Sequence, residues 1–113
     1  MRQFLQIQTT LPSEAAAREL AAELVGRKLA ACVQIVGPVA STYAWKGNVE
    51  TSAEWLCLLK SEAALFGPLQ RLLESIHPYE CPELIATPIL HLNPAYAQWL
   101  DAELAAAPVE ETG

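Results

Sequence analysis

The stretch Ala31-Cys-Val-Gln-Ile-Val-Gly-Pro-Val-Ala-Ser-Thr-Tyr-Ala-Trp45-Lys-Gly-Asn-Val-Glu-Thr-Ser-Ala-Glu-Trp55-Leu-Cys-Leu-Leu-Lys60 decides the fold. Ala31 to Val36 is rich in β-branched residues and reads as a strand. Gly37-Pro38 interrupts it without ending the extended pattern, and Val39 to Trp45 continues with Ser41, Tyr43 and Trp45 on one face. Lys46-Gly47-Asn48 is a turn signal. Val49 to Lys60 then returns as a second arm, apolar on both faces in its latter half, as a strand in mid-sheet is. The stretch is one long hairpin.

Working outward, Phe4 to Thr9 alternates like a strand. Ser13 is placed to cap a helix whose stripe is Ala17, Leu20, Ala21, Leu24 and Val25, with Gly26-Arg27-Lys28 at its end. Beyond the hairpin, Ser61-Glu62 opens a second helix with Leu65, Leu69, Leu72, Leu73 and Ile76 on its stripe. Gly67-Pro68 kinks or restarts that helix, and Pro78 ends it. Leu84 to Leu90 is a fourth strand, placed at an edge or bulge by Pro88. Asn93-Pro94 starts a third helix carrying Tyr96, Trp99, Leu100 and Leu104. The order β-α-β-β-α-β plus a terminal helix predicts an α+β, ferredoxin-like fold: an antiparallel four-stranded sheet with two helices on one face. The domain is expected over residues 1–107, with a frayed tail over 108–113.

Lengths alone argue for assembly. An arm from Ala31 to Trp45 spans about 45–50 Å at ~3.3 Å per residue. A helix of about 13 residues covers only ~20 Å. The outer half of the hairpin, with Tyr43, Trp45 and Val49, is left without an intrachain cover. Such a ribbon is marginal in water and prone to edge pairing, so closed self-association is expected. The competing reading folds the ribbon back at Gly37-Pro38 over the bare sheet face.

The chain of 113 residues is 52% hydrophobic and 18% charged, with a net charge of −6. Disorder is thereby excluded. No Lys/Arg stripe exists to bind nucleic acid or an anionic membrane. The acidity is in the main a solubility device. Three cysteines without a CxxC form no disulfide framework. The N-terminal residues lack a signal-peptide pattern, and no apolar run approaches ~20 residues. A reducing, cytoplasmic setting is therefore expected.

Four segments together resemble the CutA family of divalent-cation tolerance proteins. They are Lys28-Leu-Ala-Ala-Cys-Val33, Tyr43-Ala-Trp-Lys-Gly-Asn48, Leu58-Leu-Lys60 and His77-Pro-Tyr-Glu-Cys-Pro-Glu83, and Tyr96-x-x-Trp99-Leu100 also fits. The likeness runs from about Ile7 to Leu104. It implies a ferredoxin-like subunit, a homotrimer built through strand edges, and a shape like that of the PII signalling proteins. It also implies a role in copper and divalent-ion tolerance, with copper bound by some members and no catalytic reaction firmly assigned. Metal-binding members can carry a Cys near the end of strand one and a His before the His-Pro-Tyr. The matching positions here hold Thr9 and Ile76, and Cys81 stands where the family usually has a non-thiol residue.

The densest donor cluster is His77, Tyr79, Glu80, Cys81 and Glu83. Imidazole and thiolate suit copper or zinc, so His77, Cys81 and Glu80 are the candidate metal ligands. Pro78 and Pro82 preclude a regular helix, and an extended segment sets His77 and Cys81 about 13 Å apart. A weak copper or other divalent-cation site is the expectation, completed across subunits. The competing reading makes His77 a cap on the helix C-terminus. Lys60, Tyr79 and Glu83 form a second constellation, near the family's intersubunit cleft, for a small ligand. Tyr43 and Trp45 are assigned to the trimer interface, Trp55 to the subunit interior and His91 to solvent. Cys32 and Cys57 read as small buried hydrophobes. No GxSxG, P-loop, GxGxxG or HExxH is present. The expected function is non-enzymatic divalent-cation homeostasis. The alternative is a PII-like trimer holding a small molecule or partner in its cleft.

Overall fold

The computed structural model describes residues 2–106, so the tail expected over 108–113 lies outside the described residues. Strand β1 runs Phe4–Leu11. Its alternation buries Ile7, Thr9 and Leu11 toward the helices and turns Gln6 and Gln8 to the other face. Helix α1 runs Glu14–Gly26. The Ser13 hydroxyl accepts from the Ala16 N–H at 3.1 Å, giving one orphan donor of the first turn a partner. Ala17, Leu20 and Leu24 are buried, while Val25 at the edge of the stripe is exposed. The helix ends at Gly26, as the run Gly26-Arg27-Lys28 predicts. Lys28 takes the left-handed conformation, φ 60°, and Leu29 N–H returns to the Leu24 carbonyl.

The hairpin consists of β2, Cys32–Trp45, and β3, Asn48–Glu62. Trp45 pairs with Asn48, leaving a two-residue turn in which Lys46 and Gly47 have φ of 50° and 84°. Two consecutive positive φ values are the I′ geometry, whose twist matches that of the flanking strands. The register shifts between Val36, opposite Leu56, and Val39, opposite Glu54. Gly37 and Pro38 thus face Trp55 together as a bulge, and a Cβ on Gly37 would overlap the Trp55 indole. The bulge bends the ribbon without folding it back, since pairing resumes and runs to the tip.

The sheet order is β2-β3-β1-β4, all antiparallel. The central place of β3 explains its two-sided apolar half. Strand β4 is shorter than expected, Ile85–Pro88, and pairs only with β1. Pro88 is its last residue, where a missing N–H interrupts no ladder.

The second helix starts later than the Ser61-Glu62 signal predicts. Ser61 and Glu62 stay in β3, paired with Leu5 and Phe4. The Ser61 hydroxyl donates to the Leu29 carbonyl at 2.6 Å, and Glu62 forms a buried ion pair with Arg2. Those partners outweigh a local helix-start preference. One 3-10 turn, Ala63–Leu65, leads into α2, Phe66–Ile76. Pro68 falls in the first turn of α2, where its missing N–H breaks no bond. Helix α3, Pro94–Glu103, has Pro94 at its start, but the Asn93 side chain makes no capping bond.

The main core joins Ile7, Leu11, Leu20, Leu24, Cys57, Leu59, Leu69 and Leu73. A smaller one joins Ala31, Leu65, Leu100 and Leu104. The sheet face opposite Ile7 and Leu59 carries Val36, Leu56, Leu58 and Ile85, with Val36 48% and Ile85 47% exposed.

Candidate functional site

The outer half of the hairpin and the segment 77–83 enclose a groove of about 600 Å³. Ser41, Tyr43, Trp45, Glu50 and Glu54 line it from the hairpin. Tyr79, Glu80, Cys81 and Glu83 line it from the segment. The fold creates this space because β2 and β3 outrun the helices, while Pro78 and Pro82 keep 77–83 from continuing α2.

Glu54 lies on the groove floor, only 8% exposed. The Tyr79 hydroxyl donates to its carboxylate at 2.8 Å. Burial pushes the Glu54 carboxyl up, but hydrogen bonds from Ser41, Tyr79 and Thr10 outweigh it and hold the group below its usual range. The same contact, with burial and the Glu54 charge, pushes the Tyr79 phenol well above its usual value.

His77 sits behind the segment, in a separate cleft of about 300 Å³ shared with Leu11, Glu19, Glu23 and Ile76. Its backbone N–H closes α2 on the Leu73 carbonyl at 2.8 Å. Its Nδ1 accepts from the Tyr79 N–H at 3.1 Å, so the ring proton is assigned to Nε2. Nε2 lies 2.9 Å from the Thr10 carbonyl and 3.3 Å from the Thr9 hydroxyl. Burial lowers the imidazole pKa, against the Thr10 bond and the Glu54 charge, which raise it. Thr9 faces His77 with its hydroxyl.

The structure thus brings Tyr43, Trp45, Tyr79, Glu80, Cys81 and Glu83 to one groove and turns His77 away from it. Lys60 is also elsewhere: its Nζ donates to Gln34 at 3.2 Å, while Glu83 accepts from Gln8 at 3.0 Å. The Lys60–Tyr79–Glu83 constellation does not converge. Among the described residues no three His, Cys, Asp or Glu side chains gather around a point an ion could occupy. A closed copper or zinc site does not fit this donor set in one chain. Sequence reasoning passed over Glu54, Ser41, Thr10 and Glu50. Glu54 had a signal, as a lone carboxylate in the apolar run Ala53-Glu-Trp-Leu-Cys57 of a central strand.

An extended-hairpin, ferredoxin-like domain with an acidic, aromatic-walled groove is the class that fold and site define. Residues 5–103 match the family model described as CutA1 divalent ion tolerance protein, and the chain belongs to that family. It is 43% identical over 91 residues to the divalent-cation tolerance protein CutA of Thermus thermophilus, covering 80% of this chain and 88% of that one. It is 40% identical to mouse protein CutA over 80% of this chain. The match spans only about half the length of the mouse and human relatives. Among solved structures, CutA1 from Oryza sativa superposes with a TM-score of 0.89 at 36% identity, over 91% of this chain and 94% of that one. The Thermus thermophilus divalent cation tolerance protein gives 0.86 at 38% identity, over 93% and 100%.

Proposed function

We propose that this chain is a non-enzymatic homotrimer that takes part in divalent-cation homeostasis in a reducing, cytoplasmic compartment, meeting copper or a similar ion as a loosely held cargo at the acidic groove. The observation that carries the reading is the lining: Glu50, Glu54, Glu80 and Glu83 beside an exposed thiol, with no Lys or Arg among the lining residues. Carboxylates and one thiolate give contacts of low selectivity. Cys81, Glu80 and Glu83, on the segment, are the proposed contacts. His77 is not among them, because an ion at either ring nitrogen displaces a hydrogen bond to Tyr79 or Thr10. Three free cysteines support the reducing compartment. The non-catalytic reading is supported by Cys57, whose thiol burial pushes up to about 11, far from a usable nucleophile.

Calorimetric copper titration of wild type, His77→Ala and Cys81→Ser tests the reading. Weak binding that survives His77→Ala and falls about tenfold in Cys81→Ser is expected. Binding abolished by His77→Ala returns the site to the imidazole and overturns the groove assignment.

One observation favours the PII-like alternative: the groove volume is in the range of small-molecule sites. With Lys60 outside the lining, such a ligand is neutral or cationic, and a thermal-shift screen reads its binding as stabilisation.

A further inference from the structure

The segment 77–83 is fastened at two points that share one residue. Tyr79 gives its backbone N–H to Nδ1 of His77, which is itself anchored on the Thr10 carbonyl of β1. The same Tyr79 gives its hydroxyl to Glu54 of β3 on the floor of the groove. The His77 and Tyr79 rings pack against each other with centroids 5.0 Å apart. The groove wall therefore depends on an imidazole that accepts at one nitrogen while donating at the other, which only the neutral ring can do.

We propose that His77 is a proton-released latch on the groove: the neutral ring holds the Tyr79 amide and the Thr10 carbonyl together, and a proton on Nδ1 ejects that amide and frees the segment from the groove floor.

The surroundings permit the change. Glu54 acts on the ring by its charge from β3, and Glu19 and Glu23 share its cleft from α1, Glu23 paired with Arg27. From β1 come Thr9, Thr10 and Leu11, all uncharged, and from the end of α2 the apolar Ile76. Its own segment contributes Tyr79, held neutral by burial and by Glu54. Cys57, opposite Thr9 on β3, is likewise a neutral thiol. No Lys or Arg lines the cleft or the groove. Burial disfavours the imidazolium, the Glu54 charge and the Thr10 bond favour it, and Arg27 is held on Glu23 at 2.8 Å, so the ring takes its proton below the usual imidazole range. The latch works through protein contacts alone and holds whether or not the groove meets a cation.

Hydrogen–deuterium exchange of the full chain tests this, followed from about pH 8 to about pH 5 and corrected for the intrinsic pH dependence of exchange. Peptides covering 77–83 are expected to exchange at least about tenfold faster on the acid side, while peptides covering Cys57–Leu59 stay protected. In His77→Gln the acid-side step disappears, because the amide oxygen accepts from Tyr79 but does not titrate. In Glu54→Gln the midpoint moves to lower pH, because the charge that favours the imidazolium is gone. A wild type without the step, a step that persists in His77→Gln, or core peptides opening in parallel overturns the latch. If His77→Gln does not fold, Glu54→Gln decides, and a midpoint unmoved or raised overturns it.

Discussion

At Gly37 the ribbon and the indole of Trp55 occupy adjacent space with no room for a methyl group. Gly37→Ala is expected to destabilise the protein by about 1–3 kcal/mol through overpacking, read as a lower denaturant midpoint at unchanged slope. Single residues also set the acid response. The folded pKa of His77 lies below its unfolded value, and so does that of Glu54. In each case the unfolded chain binds protons first, so stability is complete above the unfolded pKa and is lost as pH falls. The His77 contribution is lost below about pH 6.5 and the Glu54 contribution below about pH 4.5. Chemical denaturation across pH is expected to give a midpoint that declines in those two windows, and His77→Gln removes the upper one. Thiol labelling separates the cysteines at this scale. Exposed Cys81 reacts in the native protein, whereas Cys57, fully buried with its thiol pushed up to about 11, reacts only after unfolding. Peptide mapping after alkylation checks this.

Among the elements, the hairpin is the most specified locally and the least covered. Its turn rests on Gly47 at φ 84°, so Gly47→Ala is expected to cost about 1 kcal/mol without shifting the register, which the flanking pairs hold. Helix α1 was legible down to its cap, and Ser13→Ala is expected to cost about 1 kcal/mol in the same assay. The start of α2 was not legible. Ser61-Glu62 has the composition of a helix opening, yet Leu5, Phe4, Leu29 and Arg2 supply partners from far along the chain that keep it extended. The C-terminal end of α1 falls at Gly26, where Gly26-Arg27-Lys28 places it, and the left-handed conformation of Lys28 is the one feature there that no sequence signal announced.

For the whole molecule, the long axis of 44 Å is about twice the ~20 Å length of α1. From Ala40 to Glu50 almost every hairpin residue is exposed or half-buried. Val49 is 79% exposed at the tip, and Val36 and Ile85 leave apolar surface on the second sheet face. Self-association is expected to cover both. Light scattering at micromolar concentration is expected to give three times the 12.3 kDa chain mass, and Trp45→Ala is expected to weaken the assembly. A monomer at that concentration sinks the argument from lengths.

Periodicity and turn chemistry are local, and they were sufficient for what is local: the order of the elements, the place of the hairpin turn, the cap of α1 and the central place of β3. They also brought His77, Tyr79, Glu80, Cys81 and Glu83 into one short segment. Which of those side chains face one another depends on contacts across the sheet, and no spacing encodes them. His77 is turned to Thr10 because β1 passes behind the segment, and Lys60 is drawn to Gln34 because β2 flanks β3 on the far side from the segment. Glu54 becomes the charged floor of the groove only when Tyr79, 25 residues away, closes over it. The residues were present in the sequence, but their partnerships required the sheet order and the bend at Pro78.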